Sequence, residues 1–183
     1  MKRLAFVALA MAAATFSEAF NAAFGASVTS TGTAVNGADL STLTDGVYLP
    51  RAQQWQTGTI WWNGTGAALE IDLGAVVSIY AMNLQGDDND EYAVDYWDGV
   101  DWALAWAVPN YDAYGWGMQT RPDPDNSYAL QNLPMTVTTD RLRVRAVSGD
   151  NAYSVSEIWA EAVPEPASLA VLAFGALLAR RRR

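Results

Sequence analysis

The run Asp140–Val147, DRLRVRAV, decides the fold class. Leu142, Val144 and Ala146 alternate with Arg141, Arg143 and Arg145, the period of a strand with one face buried and the other in water. The same period recurs on both sides of it. Upstream, ALEIDLG (Ala68–Gly74) places Leu69, Ile71 and Leu73 on one face and Glu70 and Asp72 on the other. SIYAMNLQG (Ser78–Gly86) is apolar on both faces and reads as a central strand. EYAVDYWDG (Glu91–Gly99) puts Tyr92, Val94 and Tyr96 together and ends in an Asp98-Gly99 turn. DWALAWAVP (Asp101–Pro109) aligns Trp102, Leu104, Trp106 and Val108 against three alanines. Downstream, NAYSVSEIWAEAV (Asn151–Val163) reads as the last strand.

Turn pairs separate these strands at Asn63-Gly64, Gly86-Asp87, Asp98-Gly99 and Gly149-Asp150, and no segment has a convincing helical period. Many short strands with polar turns predict an all-β chain, a single jelly-roll β-sandwich over residues 26–162. A long Gly/Pro/Asp-rich connection, Tyr111–Thr139, interrupts the series, and loops of that length tend to carry function or to be mobile.

The two ends have a different chemistry. Lys2 and Arg3 precede an apolar run, Leu4–Ala14, followed by small-residue exits at Ser17-Glu18-Ala19 or Ala23-Phe24-Gly25, the pattern of a secretory signal peptide over residues 1–25. At the other end, Ala167–Ala179 is apolar and four arginines follow it. At about 1.5 Å per residue this run reaches roughly 20 Å as a helix, short of a bilayer core of about 30 Å. Arginines on the cytoplasmic side give the same topology as the signal peptide, with the rest of the chain outside.

The 183-residue chain carries −9, but its ends hide the balance of the middle. Lys2, Arg3 and the terminal arginines are six of the 11 cations, while Glu18 and Glu165 are only two of the 20 acids; the region between keeps five arginines and 18 acids, a net −13. That excludes nucleic acid as a partner, because phosphates need cations. The chain has no Cys and no His. Ser-His-Asp triads, Cys-His dyads and His- or Cys-ligated zinc are therefore excluded, and carboxylate chemistry or hard-cation binding through oxygen remains.

The order Pro164-Glu165-Pro166, apolar run, arginine cluster (residues 163–183) resembles the PEP-CTERM sorting signal of Gram-negative bacteria. That resemblance implies recognition by an exosortase-type processing enzyme. It also implies transient anchoring in the inner membrane by a C-terminal helix, and delivery to the cell surface or an extracellular matrix of exopolysaccharide. A second resemblance spans about 120 residues. LTDG (Leu43–Gly46), a following Trp, ALEIDLG, YAVDYWDGVDW (Tyr92–Trp102) and DRLRVRAVSGDNAYSVSEI (Asp140–Ile158) stand in the order of the discoidin, or factor 5/8 C-type, family. It implies a galactose-binding-like fold and a structural calcium joining Asp45 to Glu157, with backbone carbonyls completing the shell.

The remaining candidates are read from residue type. Trp55, Trp61, Tyr114 and Trp116 lie in or beside loops, where rings stack on pyranose faces or simply close the ends of the sandwich. Arg121, Asn63 and Gln119 are polar neighbours for sugar hydroxyls. Of the adjacent Trp61 and Trp62, one should face outward. GDDNDEY (Gly86–Tyr92) lacks the spacing of an EF-hand loop and reads as a solvated acidic turn. The arginines of 141–145 either pair across strands with Glu70, Asp72 or Asp95, or clamp an anionic glycan. The expected role is non-catalytic carbohydrate binding by an exported protein of the biofilm layer. Its rivals are a matrix protein making protein–protein contacts and a small glycoside-active enzyme built on two carboxylates.

Overall fold

The computed structural model describes residues 18–111 and 117–164. Its organising element is β5 (Ala67–Asp87), 21 residues long and shared between two layers. The first half of β5 lies between β2 (Ser27–Gly32) and the end of β9 (Gln131–Ser148), which continues through β6 (Glu91–Trp97) to β7 (Trp102–Val108). The second half pairs with β10 (Ala152–Pro164), beyond which lie β4 (Ile60–Asn63) and β3 (Asn36–Gly37). Short β8 (Met118–Arg121) pairs with the end of β5. The β5–β9 ladder breaks between Asp72 and Val77, where the register shifts. What the sequence presents as two strands, ALEIDLG and SIYAMNLQG, is thus one strand with a shift of register at its middle.

Alternation places the core as expected. Leu142 and Val144 are fully buried with Leu69, Ile71 and Val94; Ile79, Leu84, Val155, Ile158 and Trp62 complete the same cluster. Each such side chain contributes roughly 1.5–3 kcal/mol by leaving water. The expected long connection is shorter than it looks, because β8 and the start of β9 lie inside it.

Two expectations are corrected here. In β7 a bulge opposite the Val94/Asp95 step sets Val94 beside Trp106 but Asp95 beside Leu104. The extra residue reverses the side-chain alternation. Trp106 is therefore 8% exposed and in the core, whereas Leu104 is 57% exposed and Trp102 lies half-buried on the outer face. The sandwich also begins before residue 26. β1 (Phe20–Asn21) pairs with Ala162 and Glu161 of β10, Asn21 Oδ1 accepts the amides of Ala23 and Ala160, and Ala23 is fully buried. At the other end β10 runs two residues past 162, with Pro164 opposite Val77. Among the described residues no helix is long and apolar enough to cross a membrane. The expected signal helix, the C-terminal apolar helix, Glu165 and Pro166 fall outside the described residues.

Candidate functional site

A strap, residues 45–58, crosses the outer face of β10, β5 and β8. Short polar side chains pin it along its length. The Gly46 amide donates to Glu157 Oε2 (2.9 Å), the Tyr48 hydroxyl to Asn83 Oδ1 (2.8 Å), and the Leu49 amide to Gln85 Oε1 (2.7 Å). Gln85 Nε2 returns a bond to the Leu49 carbonyl (3.0 Å). The Ala52 amide donates to the Met118 carbonyl, and the Met118 amide to Gln53. Gly117 is required there: its φ is +101°, and a Cβ would sit 2.7 Å from the Gln53 carbonyl oxygen. The strap starts from a 3₁₀ turn, Leu40–Thr44, capped by Asp39 on the Ser41 amide.

At its far end the strap presents Trp55 edge-to-face against Trp61, with ring centroids 5.7 Å apart and an angle of 87°. Both rings are half-buried. Trp61 lies over Gly37, where a Cβ would come within 2.7 Å of the indole. Its neighbour Trp62 points inward among Tyr92 and Tyr153, so one ring of the adjacent pair does face out. Tyr114 and Trp116 fall outside the described residues. The flanks of their loop are fixed: the Tyr111 amide donates to the Asp88 carbonyl, Asp88 N–H to Gly117, and the Gly117 amide to Asp87 Oδ1. Both flanks thus meet the 86–90 turn, and Gly117 also meets the strap that carries Trp55. Asn63 is exposed beside this rim; Gln119 is buried and turned away from water.

Arg121 is not a ligand-facing residue. It is fully buried, and its guanidinium donates to the carbonyls of Pro109, Gly86, Gln119, Asp87 and Asp90 at 2.5–3.1 Å, lying 5.6 Å over the Tyr92 ring. Five donors meet five backbone acceptors, leaving nothing for a sugar. The acidic turn is corrected with it. Asp87, Asp88 and Asp90 are buried, and burial pushes Asp87 up to about 6 and Asp90 up to about 7. The turn folds inward because Arg121 holds its carbonyls from more than 30 residues away. The only local signal in the sequence is an arginine alone in an acidic, Pro-rich stretch.

Asp45 and Glu157 do come together. Asp45 caps its own turn on the Val47 amide, and Glu157 reaches the next residue, Gly46. Glu157 is fully buried, its Oε1 has no hydrogen-bond partner among the described residues, and burial, with Asp45 nearby, pushes it up to about 8. An orphaned buried carboxylate oxygen beside a second carboxylate suits a hard cation. Among the described residues no group of three acidic side chains is placed to hold a metal ion, so backbone carbonyls would have to supply most of the shell.

The arginine ridge is committed to its own sheet. Arg143 and Arg145 share Asp95 Oδ2 at 2.7 and 2.9 Å, Arg141 pairs with Asp140, and Arg141 and Arg143 stack on Trp97 and Trp102 at 4.5 and 4.6 Å. This is the cross-strand alternative, not a free anion clamp.

No protein-family model and no curated protein matches the chain. Solved structures do share its fold. The family 32 carbohydrate-binding module of Streptococcus pneumoniae EndoD matches with a TM-score of 0.53 at 15% identity, over 80% of this chain and all of that one. The lectin domain of lectinolysin, solved with Lewis B antigen, matches at 0.54 and 13% identity over 80% of this chain and 97% of that one. The chain also matches 28% of the length of SpGH29, with a TM-score of 0.50 and 17% identity. The chain shares its β-sandwich fold with these structures.

Proposed function

We propose that the sandwich binds carbohydrate without catalysis, at the rim where Trp55 meets Trp61 at the end of the strap. The observation that carries this reading is the Trp55–Trp61 pair, two perpendicular indoles held at the surface by a pinned strap rather than folded into the core. Rigid aromatic rings bind pyranose faces at low entropic cost, and Asn63 and the strap's Gln54 and Gln56 stand close enough in sequence to take hydroxyls. The fold is shared with modules named for carbohydrate binding.

Non-catalytic binding is favoured by where the perturbed acids lie. Among the described residues, Asp87, Asp90 and Glu157 are the carboxyls raised toward neutrality, and all three are sealed from solvent. A general acid must reach the glycosidic oxygen, which a sealed carboxyl cannot do.

In the same reading, Asp45 and Glu157 hold a structural calcium. The chain is exported and its C-terminal segment is read by an exosortase-type enzyme while it anchors transiently in the inner membrane. The mature protein then acts at the cell surface or in the exopolysaccharide matrix. A sandwich carrying −13 keeps clear of nucleic acid and favours neutral glycans over uronates. A glycan array probed with the full chain tests the central part: retention on neutral oligosaccharides supports it, and retention on none contradicts it.

A further inference from the structure

The near end of the strap carries a second set of rings. Tyr48 meets Tyr128 edge-to-face at 5.5 Å, and Tyr128 meets Trp159 at 6.5 Å and 90°. Tyr128 is 70% exposed, on a turn whose side chains would ordinarily swing freely. Here the turn is fastened from below. The fully buried Asn83 donates through Nδ2 to the carbonyls of Ser127 (2.8 Å) and Ala129 (3.3 Å), on either side of Tyr128, while its Oδ1 accepts from Tyr48. The Tyr128 amide donates to Asn126 Oδ1. One buried amide thus fixes the Tyr48 ring by its hydroxyl and the backbone on either side of Tyr128. Glu161 fixes the third ring: its Oε2 accepts from Trp159 Nε1 at 2.5 Å, and its Oε1 from the Tyr80 hydroxyl at 3.3 Å.

A ring on a fastened backbone that packs edge-on against two neighbours has given up part of its freedom before any ligand arrives, which lowers the cost of binding. We propose that Tyr48, Tyr128 and Trp159, with Glu161 at their edge, form a second carbohydrate subsite that takes a neutral pyranose. The inference rests on the carbohydrate reading above and extends it to a different part of the surface. Apolar sugar C–H faces pack on the rings, and the half-buried Glu161 carboxylate accepts hydroxyls but repels a uronate, as does the net charge of the sandwich. The two sites share one face. Trp61 pairs with Ser154 on β10, and Trp159 is five residues further along the same strand, so the clusters stand roughly 15 Å apart at ~3.3 Å per residue. One glycan chain lying along the strap can touch both, and its second contact then comes at high effective concentration.

The test uses the full chain on immobilised neutral oligosaccharides (galactose-, fucose- and N-acetylglucosamine-containing) and on an oligo-uronate. Each protein is also checked for an unchanged thermal melt. Tyr128→Ala is expected to weaken the best neutral ligand by about tenfold, the size of one aromatic contact, with Tyr128→Phe retaining binding. Trp55→Ala alone should leave residual binding that Tyr128→Ala then removes. Wild-type affinity in Tyr128→Ala, with loss only in Trp55→Ala, overturns the second subsite and leaves the carbohydrate reading in place. Preference for the oligo-uronate overturns the neutral-sugar assignment. No binding of wild-type protein to any of these overturns both.

Discussion

Glu157, the sixth residue of the last strand, accepts a 2.9 Å hydrogen bond from the amide of Gly46, 111 residues earlier. That bond fastens the start of the strap to the sheet, and the carboxylate that makes it leaves its other oxygen orphaned in the interior. Calcium at Asp45 and Glu157 would satisfy that oxygen and hold the ionised form. Saturating calcium at a hundredfold its dissociation constant stabilises a native site by about 2.7 kcal/mol. For a domain of this size that raises the melting midpoint by roughly 5–10 °C over chelator. Glu157→Gln should abolish the difference. A wild-type midpoint indifferent to calcium would remove the ion from the account.

Asp90 sets a pH dependence of a definite sign. Burial first, then Asp87 and Asp150, raise its carboxyl to about 7, while its bond from the Tyr92 hydroxyl works the other way. Asp87 is raised to about 6 by burial and by Asp88. The folded state therefore holds these protons more tightly than the unfolded chain does. Their stabilising contribution is full below about pH 4 and is lost as pH rises through 6 to 7. Urea midpoints should fall between pH 5 and pH 8, and Asp90→Asn should flatten the fall. Midpoints rising over that range would contradict the burial of the turn.

Arg121 and Arg141 should separate cleanly on substitution. Arg121→Leu strands five buried carbonyls, each costing 1–3 kcal/mol if left unsatisfied, so a loss of at least about 4 kcal/mol is expected from urea unfolding. Arg141→Ala removes a half-exposed pair with Asp140 and a stack on Trp97, worth about 1 kcal/mol or less. Equal, small effects would return Arg121 to the surface.

The N-terminal strand constrains processing. Phe20 and Asn21 pair with β10, and Asn21 holds the Ala160 amide. Cleavage at the Ser17-Glu18-Ala19 exit keeps β1, whereas cleavage after Gly25 discards it along with the buried Ala23. Mass spectrometry of the exported protein is expected to give Phe20 as the first residue. A start at Ala26 would mean that the mature sandwich manages without β1.

Much of the fold was legible because alternation is local. Leu142, Val144 and Ala146 face in, and Arg141, Arg143 and Arg145 face out, as their spacing requires. β7 misled because one bulged residue reverses every side chain beyond it, and nothing in WALAWAV marks the bulge. The acidic turn misled for a different reason. Four acids in five positions look solvated until Arg121 arrives from β8, a contact that no window of sequence contains. At the candidate site, the sequence singled out Trp55 and Trp61 but gave no hint that they meet. It was silent on Asn83, one of two amides in an otherwise largely apolar strand, whose importance appears only when the strap and the Tyr128 turn close over it.

The most direct test of the central claim is a titration of wild-type protein with the strongest neutral glycan from the array, read by intrinsic tryptophan fluorescence, beside the Trp55→Ala/Trp61→Ala variant. The account predicts a saturable change in wild type and an affinity at least about tenfold lower in the variant, with an unaltered melt. Equal affinity in the two proteins would contradict a carbohydrate site at the Trp55–Trp61 rim.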